Sequence, residues 1–206
     1  MESDGHGRMY AVAVRAPASC RGFSFCREAA SPAGLPDAQF VVQSAAVLRQ
    51  YDSGQMTMGA VHRVALRKDA SGLCDIRRRA ILELAPPTMS VAEAQAWAVK
   101  LTPTGMEQKL RELEVWVAEL DGRLAGWGAI RGGTLEGLYV APEFAGQGVG
   151  AGLLDMLEGL MRDRAFPRVR AEASSNARGF YLRRGYVATG PQTPDGAWPI
   201  GKELPT

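Results

Sequence analysis

The sequence predicts an α/β protein of the α+β kind, and three observations carry that expectation. Two Ser/Thr-to-Glu capping boxes, Ser90 with Glu93 and Thr104 with Glu107, each open a helical stretch. Three short segments between Glu114 and Val140 read as an antiparallel meander, divided by Asp121-Gly122 and Arg131-Gly132-Gly133. A glycine-rich turn, Gly146-Gln147-Gly148-Val149-Gly150, then opens an amphipathic helix.

In chain order, Leu73–Ala80 reads as a first strand or strand-to-helix joint, made noisy by Arg77, Arg78 and Arg79, whose side chains are expected on a solvated face. Ser90 and Glu93 satisfy each other's orphan N–H groups, so a helix runs to about Val99 with Trp97 on its buried side. Met106, Leu110 and Leu113 recur at helical spacing after Thr104, and Pro86-Pro87 and Pro103 punctuate these helices. Glu114–Leu120 is rich in Val and Trp, and Asp121-Gly122 suits a turn whose central residues both need positive φ. Leu124–Ile130 and Thr134–Val140 complete the meander. Val149, Leu153, Leu157, Leu160 and Met161 then share one helical face, with Asp155, Glu158 and Arg162 opposite. Ala197–Leu204 reads as a last strand.

The 206 residues suffice for one domain with an appendage. Residues 1–72 are expected to be an N-terminal extension with little structure of its own: residues 1–36 are broken by Gly and Pro, and from Gly5 to Arg27 carry four arginines and no acid. Residues upstream of a start at Met56 or Met58 would look the same. The catalytic domain is expected over residues 73–206. With 24 Lys+Arg against 22 Asp+Glu, the chain lacks the basic excess of a nucleic-acid binder. No apolar run reaches the ~20 residues that cross a bilayer. Cys20, Cys26 and Cys74 fit no metal spacing, which points to reduced thiols in the cytoplasm and to no metal. His6 and His62 both precede residue 73, so Ser-His-Asp chemistry has no histidine in the expected domain.

A glycine turn at a helix start holds phosphate through backbone N–H groups and the helix dipole, although a plain structural turn looks similar. A Walker loop needs Gly-Lys-Ser/Thr, whereas Gly150 is followed by Ala151-Gly152. A dinucleotide-binding unit would place the turn after the first parallel strand, not after a meander.

The stretch Leu135-Glu-Gly-Leu-Tyr-Val-Ala-Pro-Glu-Phe-Ala-Gly-Gln-Gly-Val-Gly-Ala-Gly-Leu-Leu resembles the acetyl-CoA signature of the GNAT N-acetyltransferase superfamily. Downstream, Asn176-Ala-Arg-Gly-Phe-Tyr-Leu-Arg-Arg-Gly-Tyr186 is similar to that family's second signature, at the proper spacing. The resemblance implies a mixed, mostly antiparallel central sheet flanked by helices, with splayed fourth and fifth strands. It implies acetyl-CoA as co-substrate, pantetheine along Leu138, Tyr139 and Val140, and the diphosphate on Gly146, Gln147, Gly148, Val149 and Gly150. Ala145 departs from the family, which has Arg or Gln there, so weaker CoA affinity is expected; Gln147 is no assured substitute.

The implied reaction is direct attack on the thioester by a primary amine of a small molecule or peptide. The ammonium must shed a proton, at a cost of about 4–5 kcal/mol at pH 7. Glu136 is the leading base, with a solvated strand glutamate as the alternative and Glu119 and Glu172 behind it. Tyr181 stands at the family's position for the acid that protects the leaving thiolate, packing being its alternative. Asn176 caps its helix or touches CoA. Arg183-Arg184 are expected in solvent or at the CoA 3′-phosphate. A non-catalytic CoA or acyl-CoA sensor is the second function, and oligomeric state, a homodimer included, stays open.

Overall fold

A computed structural model describes residues 59–85 and 90–205. Residues 1–58 of the extension expected over 1–72, and the Pro86-Pro87 break, lie outside them. The elements are β1 Val61–Val64, α1 Ala70–Leu84, α2 Val91–Ala98, α3 Pro103–Glu112, β2 Glu114–Leu120, β3 Arg123–Arg131, β4 Thr134–Val140, α4 Val149–Asp163, β5 Arg168–Ala173, α5 Ser175–Arg183, β6 Val187–Ala188 and β7 Trp198–Glu203. They form a seven-stranded sheet in the order β1-β2-β3-β4-β5-β7-β6. Every neighbouring pair is antiparallel except β4 with β5.

The sheet begins ahead of the boundary expected at residue 73. Strand β1 pairs with β2 from Val61↔Glu119 to Val64↔Trp116. Arg63 fastens it, donating to Asp69 at 2.7 and 3.1 Å and to Glu119 at 2.6 and 3.0 Å. Four residues are too few to show a period, and ion pairs to positions 6 and 56 residues away do the fixing.

Leu73–Ala80 is helical, not a strand. Leu73, Ile76, Ala80 and Ile81 form its buried stripe. The three arginines diverge around that helix: Arg78 pairs with Asp75, Arg79 with Glu143, and Arg77 turns inward. For α2 the capping box forms as expected, with Ser90 N–H donating to Glu93 at 2.9 Å and Glu93 N–H to Ser90 Oγ at 3.2 Å. For α3 the cap is Thr102, not Thr104. Its hydroxyl accepts from Gly105 N–H, and Pro103 opens the helix where a missing N–H costs nothing.

The β2–β3 turn has Asp121 and Gly122 at φ 51° and 71°, as the hairpin requires. The two faces of the sheet are covered by different helices. On one, Trp127 donates its indole N–H to Leu73 of α1 at 2.9 Å and stacks with Tyr139, ring centroids 4.8 Å apart. On the other, Val149, Leu153 and Leu157 of α4 close onto Gly126 and Gly128 of β3. Helix α4 is buried on more than its expected face. Glu158 is 3% exposed, and its Oε2 accepts from Lys202 of β7 at 2.6 Å.

Candidate functional site

Strands β4 and β5 pair only at Thr134↔Arg170 and Leu135↔Ala171. Beyond Leu135, β4 continues to Val140 alongside β3, and β5 diverges to Ala173. The cause is local. Gly137 lies opposite Ala129, yet Leu135 lies opposite Ile130, so Glu136 is the extra residue of a β-bulge. A bulge bends its strand and increases its twist. Glu136 therefore stands at the vertex of a V-shaped gap.

The bulge also interrupts the strand alternation that would set residues 136, 138 and 140 on one face. Glu136 is no solvated strand glutamate: its side chain is almost fully buried, with Oε1 3.7 Å from Arg131 Nε. Glu119 is engaged by Arg63, and Glu172 lies towards the far end of β5, partly exposed.

At the open end of β4, Pro142–Phe144 makes a short 3-10 turn and the chain enters the glycine loop. Gly146 and Gly148 have φ 79° and 84°, left-handed values that a side chain resists, so these positions need glycine. The first intrahelical bond behind them runs from Gly152 N–H to Gly148 O. The amides just ahead of it are the ones a helix start leaves without intrahelical acceptors. Glu143 tethers the loop, accepting from Arg79 at 2.7 Å and from Arg123 at 3.1 Å, so the nearest carboxylate is neutralised by two guanidinium groups. Gln147 donates its side-chain amide to Glu143 O at 2.8 Å. That bond commits Gln147 to the loop's own backbone rather than to the role lost at Ala145. The bare amides, helix dipole and balanced charge fit a diphosphate.

Tyr181 lies on α5 and is wholly buried, and its hydroxyl has no hydrogen-bond partner. Burial drives its pKa well above the ordinary tyrosine value, and the neighbouring Tyr139 and Glu158 add to the rise. It is therefore a donor that keeps its proton throughout the physiological range. Its ring meets Phe180 and Tyr186 edge-on at 5.2 and 5.1 Å. Gly185, at φ 84°, ends the helix. Asn176 does not cap it. Ser174 holds the cap position, and Asn176 Oδ1 accepts from the Ser174 hydroxyl at 2.6 Å while Nδ2 donates to Leu84 O at 3.4 Å. Asn176 joins Trp97, Lys100, Ser174 and Asp195 in lining a cavity of about 460 Å³ at the far end of β5. Arg184 pairs with Asp155 of α4 and Arg183 is exposed.

The arrangement thus combines a diphosphate-shaped loop, a slot in the sheet, a buried carboxylate at the slot's vertex and a protonated phenol. Besides Asp69, which Arg63 holds, two buried charges escaped the sequence. Arg77, 8% exposed, lies 5.7 Å from the ring centroids of both Trp97 and Tyr139 and donates to the carbonyls of Trp97 and Ala98 that end α2. Glu158 is the other. Its signal was present: Leu154 and Met161, four residues before and three after, put a second apolar stripe around it.

A family model described as an acetyltransferase (GNAT) domain matches residues 85–197. The chain belongs to this GNAT acetyltransferase family. It is 28% identical over 132 residues to an uncharacterized N-acetyltransferase, YafP, of Escherichia coli K12, covering 63% of this chain and 84% of that protein. Among solved structures, a GCN5-related N-acetyltransferase from Rhodopseudomonas palustris is 28% identical with a TM-score of 0.67, covering 73% of this chain and 100% of that one. The PaiA N-acetyltransferase of Thermoplasma acidophilum, solved with coenzyme A, shares the fold at 19% identity and a TM-score of 0.62, covering 71% of this chain and all of the other.

Proposed function

We propose that this chain transfers an acetyl group from acetyl-CoA to a primary amine of a small molecule or a peptide, by direct attack in a ternary complex. The observation that carries this proposal is the β4–β5 pairing that ends after two residue pairs, directly beside a glycine loop suited to a diphosphate. Leu138, Tyr139 and Val140 would flank the pantetheine, and the amides of residues 146–150 would hold the diphosphate. The thioester supplies the activated acetyl group.

Glu136 accepts a proton from the incoming ammonium, which frees the nitrogen lone pair for attack. As the carbon–nitrogen bond forms, the carbon–sulfur bond breaks with its electron pair left on sulfur. Tyr181 donates its proton to that sulfur and recovers one from the proton the new amide nitrogen gives up, so the phenol ends unchanged. Asn176 belongs to this proposal as a residue that would touch CoA, and it lines the cavity beside β5. A cytoplasmic location, suggested by the three cysteines, is part of the same proposal, and a homodimer is compatible with it.

Release of free thiol from acetyl-CoA with a panel of primary amines tests the proposal, alongside calorimetric titration of CoA. Turnover with any amine supports it; absence of CoA binding ends it. The second function, a sensor that binds acyl-CoA without turnover, is favoured by one observation: Ala145 supplies no side chain to the diphosphate and Gln147 is tied to Glu143. Tight CoA binding with no thiol release from any amine would select it.

A further inference from the structure

The cavity of about 460 Å³ beside β5 carries charges that the proposed reaction leaves unused. Its size is that of a small-molecule site, roughly 300–1,000 Å³. Ser174 on its wall follows Ala173, the last residue of the strand that diverges from β4. Helix α2 and the turn after it add Glu93, Trp97 and Lys100. Trp97 is tied to the other side of the slot through Arg77, whose guanidinium lies 5.7 Å from the ring centroids of both Trp97 and Tyr139 of β4. The cavity is thus joined to both strands that frame the gap.

Both signs of charge meet there. The acids have places in the local structure: Glu93 accepts from the N–H and hydroxyl of Ser90 at 2.9 and 2.7 Å, and Asp195 accepts from the Thr193 hydroxyl at 2.5 Å. The cations are less well accounted for. Among the described residues, neither Lys100 nor Arg77 has a carboxylate within ion-pair distance. Closing α2 does not call for both, since Arg77 already donates to the carbonyls of Trp97 and Ala98, at 3.3 and 3.4 Å. Those bonds are long, and Arg77 is 8% exposed, so water does little for its charge. A simple alkylamine would leave both cations unanswered, and a diamine would bring a second ammonium against them. An amine that also bears a carboxylate meets both signs.

We propose that this cavity seats the acceptor and that the acceptor is an amino acid. Its carboxylate is held by Lys100 in the field of Arg77, Glu93 and Asp195 draw in the ammonium form in which it arrives, and its amine turns to the slot. The proposal rests on the transferase function and narrows it to one class of acceptor.

The test compares each common amino acid with its primary amide, which keeps the amine and the side chain and loses only the charge of the carboxylate. The amide also stands in for the N-terminus of a peptide. Two quantities are measured on the full-length protein: thiol release from acetyl-CoA, and calorimetric titration of the acceptor into protein saturated with CoA. Taken per unprotonated amine, kcat/KM for the best-accepted side chain should favour the acid by at least about tenfold, as a charge-assisted hydrogen bond does. Lys100→Glu reverses the charge on an exposed side chain and should erase or invert that preference through KM, with CoA affinity held; Lys100→Arg should keep it. A preference for amides, or a preference for acids that Lys100→Glu leaves standing, overturns the proposal while the transferase function survives. Binding of the acid, but not the amide, to the CoA-loaded protein, lost in Lys100→Glu and unaccompanied by thiol release, keeps the assignment of the cavity and removes the transferase function. Neither binding nor release with any member of the panel overturns the proposal outright.

Discussion

The two faces of the sheet treat their buried polar groups in opposite ways. Beneath α1, each is answered: Arg77 donates to the carbonyls that close α2, and the Trp127 indole donates to Leu73 O. Beneath α4 and α5, the wholly buried hydroxyl of Tyr181 has no partner. An unsatisfied buried group costs about 1–3 kcal/mol. The first face is thus a scaffold that brings the helices onto β3 and β4, and the second holds reactive groups at the expense of stability. Their common boundary is β4, whose bulge at Glu136 opens the slot.

Substitutions on either side can break or sharpen this contrast. The largest effect is expected at the loop between them. Gly148→Glu forces a side chain into a left-handed position and sets a negative charge against the diphosphate, so CoA binding should weaken by more than about a hundredfold in calorimetric titration. Affinity within tenfold of wild type would remove the loop from the site. Next, Tyr181→Phe should lower kcat by at least about tenfold with CoA affinity nearly unchanged. Because the lost hydroxyl has no partner, the urea midpoint should stay level or rise; a clear fall would mean that the group is satisfied in solution. On the scaffold face the pattern should invert. Arg77→Met strands the Ala98 carbonyl at the end of α2 and should cost about 1–3 kcal/mol in urea unfolding, leaving CoA affinity intact.

The smallest effect concerns alkaline pH. The pKa values of Tyr181 and Tyr186 are raised on folding, chiefly by burial, so the folded state keeps protons that the unfolded state releases. Their contribution is complete below the unfolded value near ~10 and is lost as pH rises towards the folded values, by about 1.4 kcal/mol per pH unit for each group. Thermal unfolding between pH 9 and about 11 should show this slope, and Tyr186→Phe should flatten it. An unchanged slope would mean that Tyr186 is open to hydroxide.

Elements fixed by neighbouring residues were legible in the sequence. Ser90 and Glu93 cap α2 through mutual backbone contacts, Asp121-Gly122 turns with both φ positive, and the glycine loop opens α4. Elements fixed by distant partners were not. Strand β1 depends on Arg63 reaching Glu119, and the inward turn of Arg77 in the Leu73–Ala80 helix depends on the carbonyls that end α2. Thr104 with Glu107 makes the conspicuous capping pattern, whereas the chain uses Thr102, the threonine that precedes a proline. Within the site, Tyr181 and the loop stood in recognisable signatures. The bulge at Glu136 did not, since it arises from a register shift between two strands that alternation alone cannot reveal.

The sequence by itself determined the family, the order of helices and strands, the glycine loop and the phenol, because each is written in spacings of a few residues and in backbone preferences that act locally. The tertiary structure alone decided where the sheet begins, which charges are buried, and how far β4 and β5 separate. Those outcomes depend on contacts between segments far apart in the chain, where burial in a shared interior, and not the pattern around a residue, determines whether a glutamate such as Glu158 meets water or a lysine.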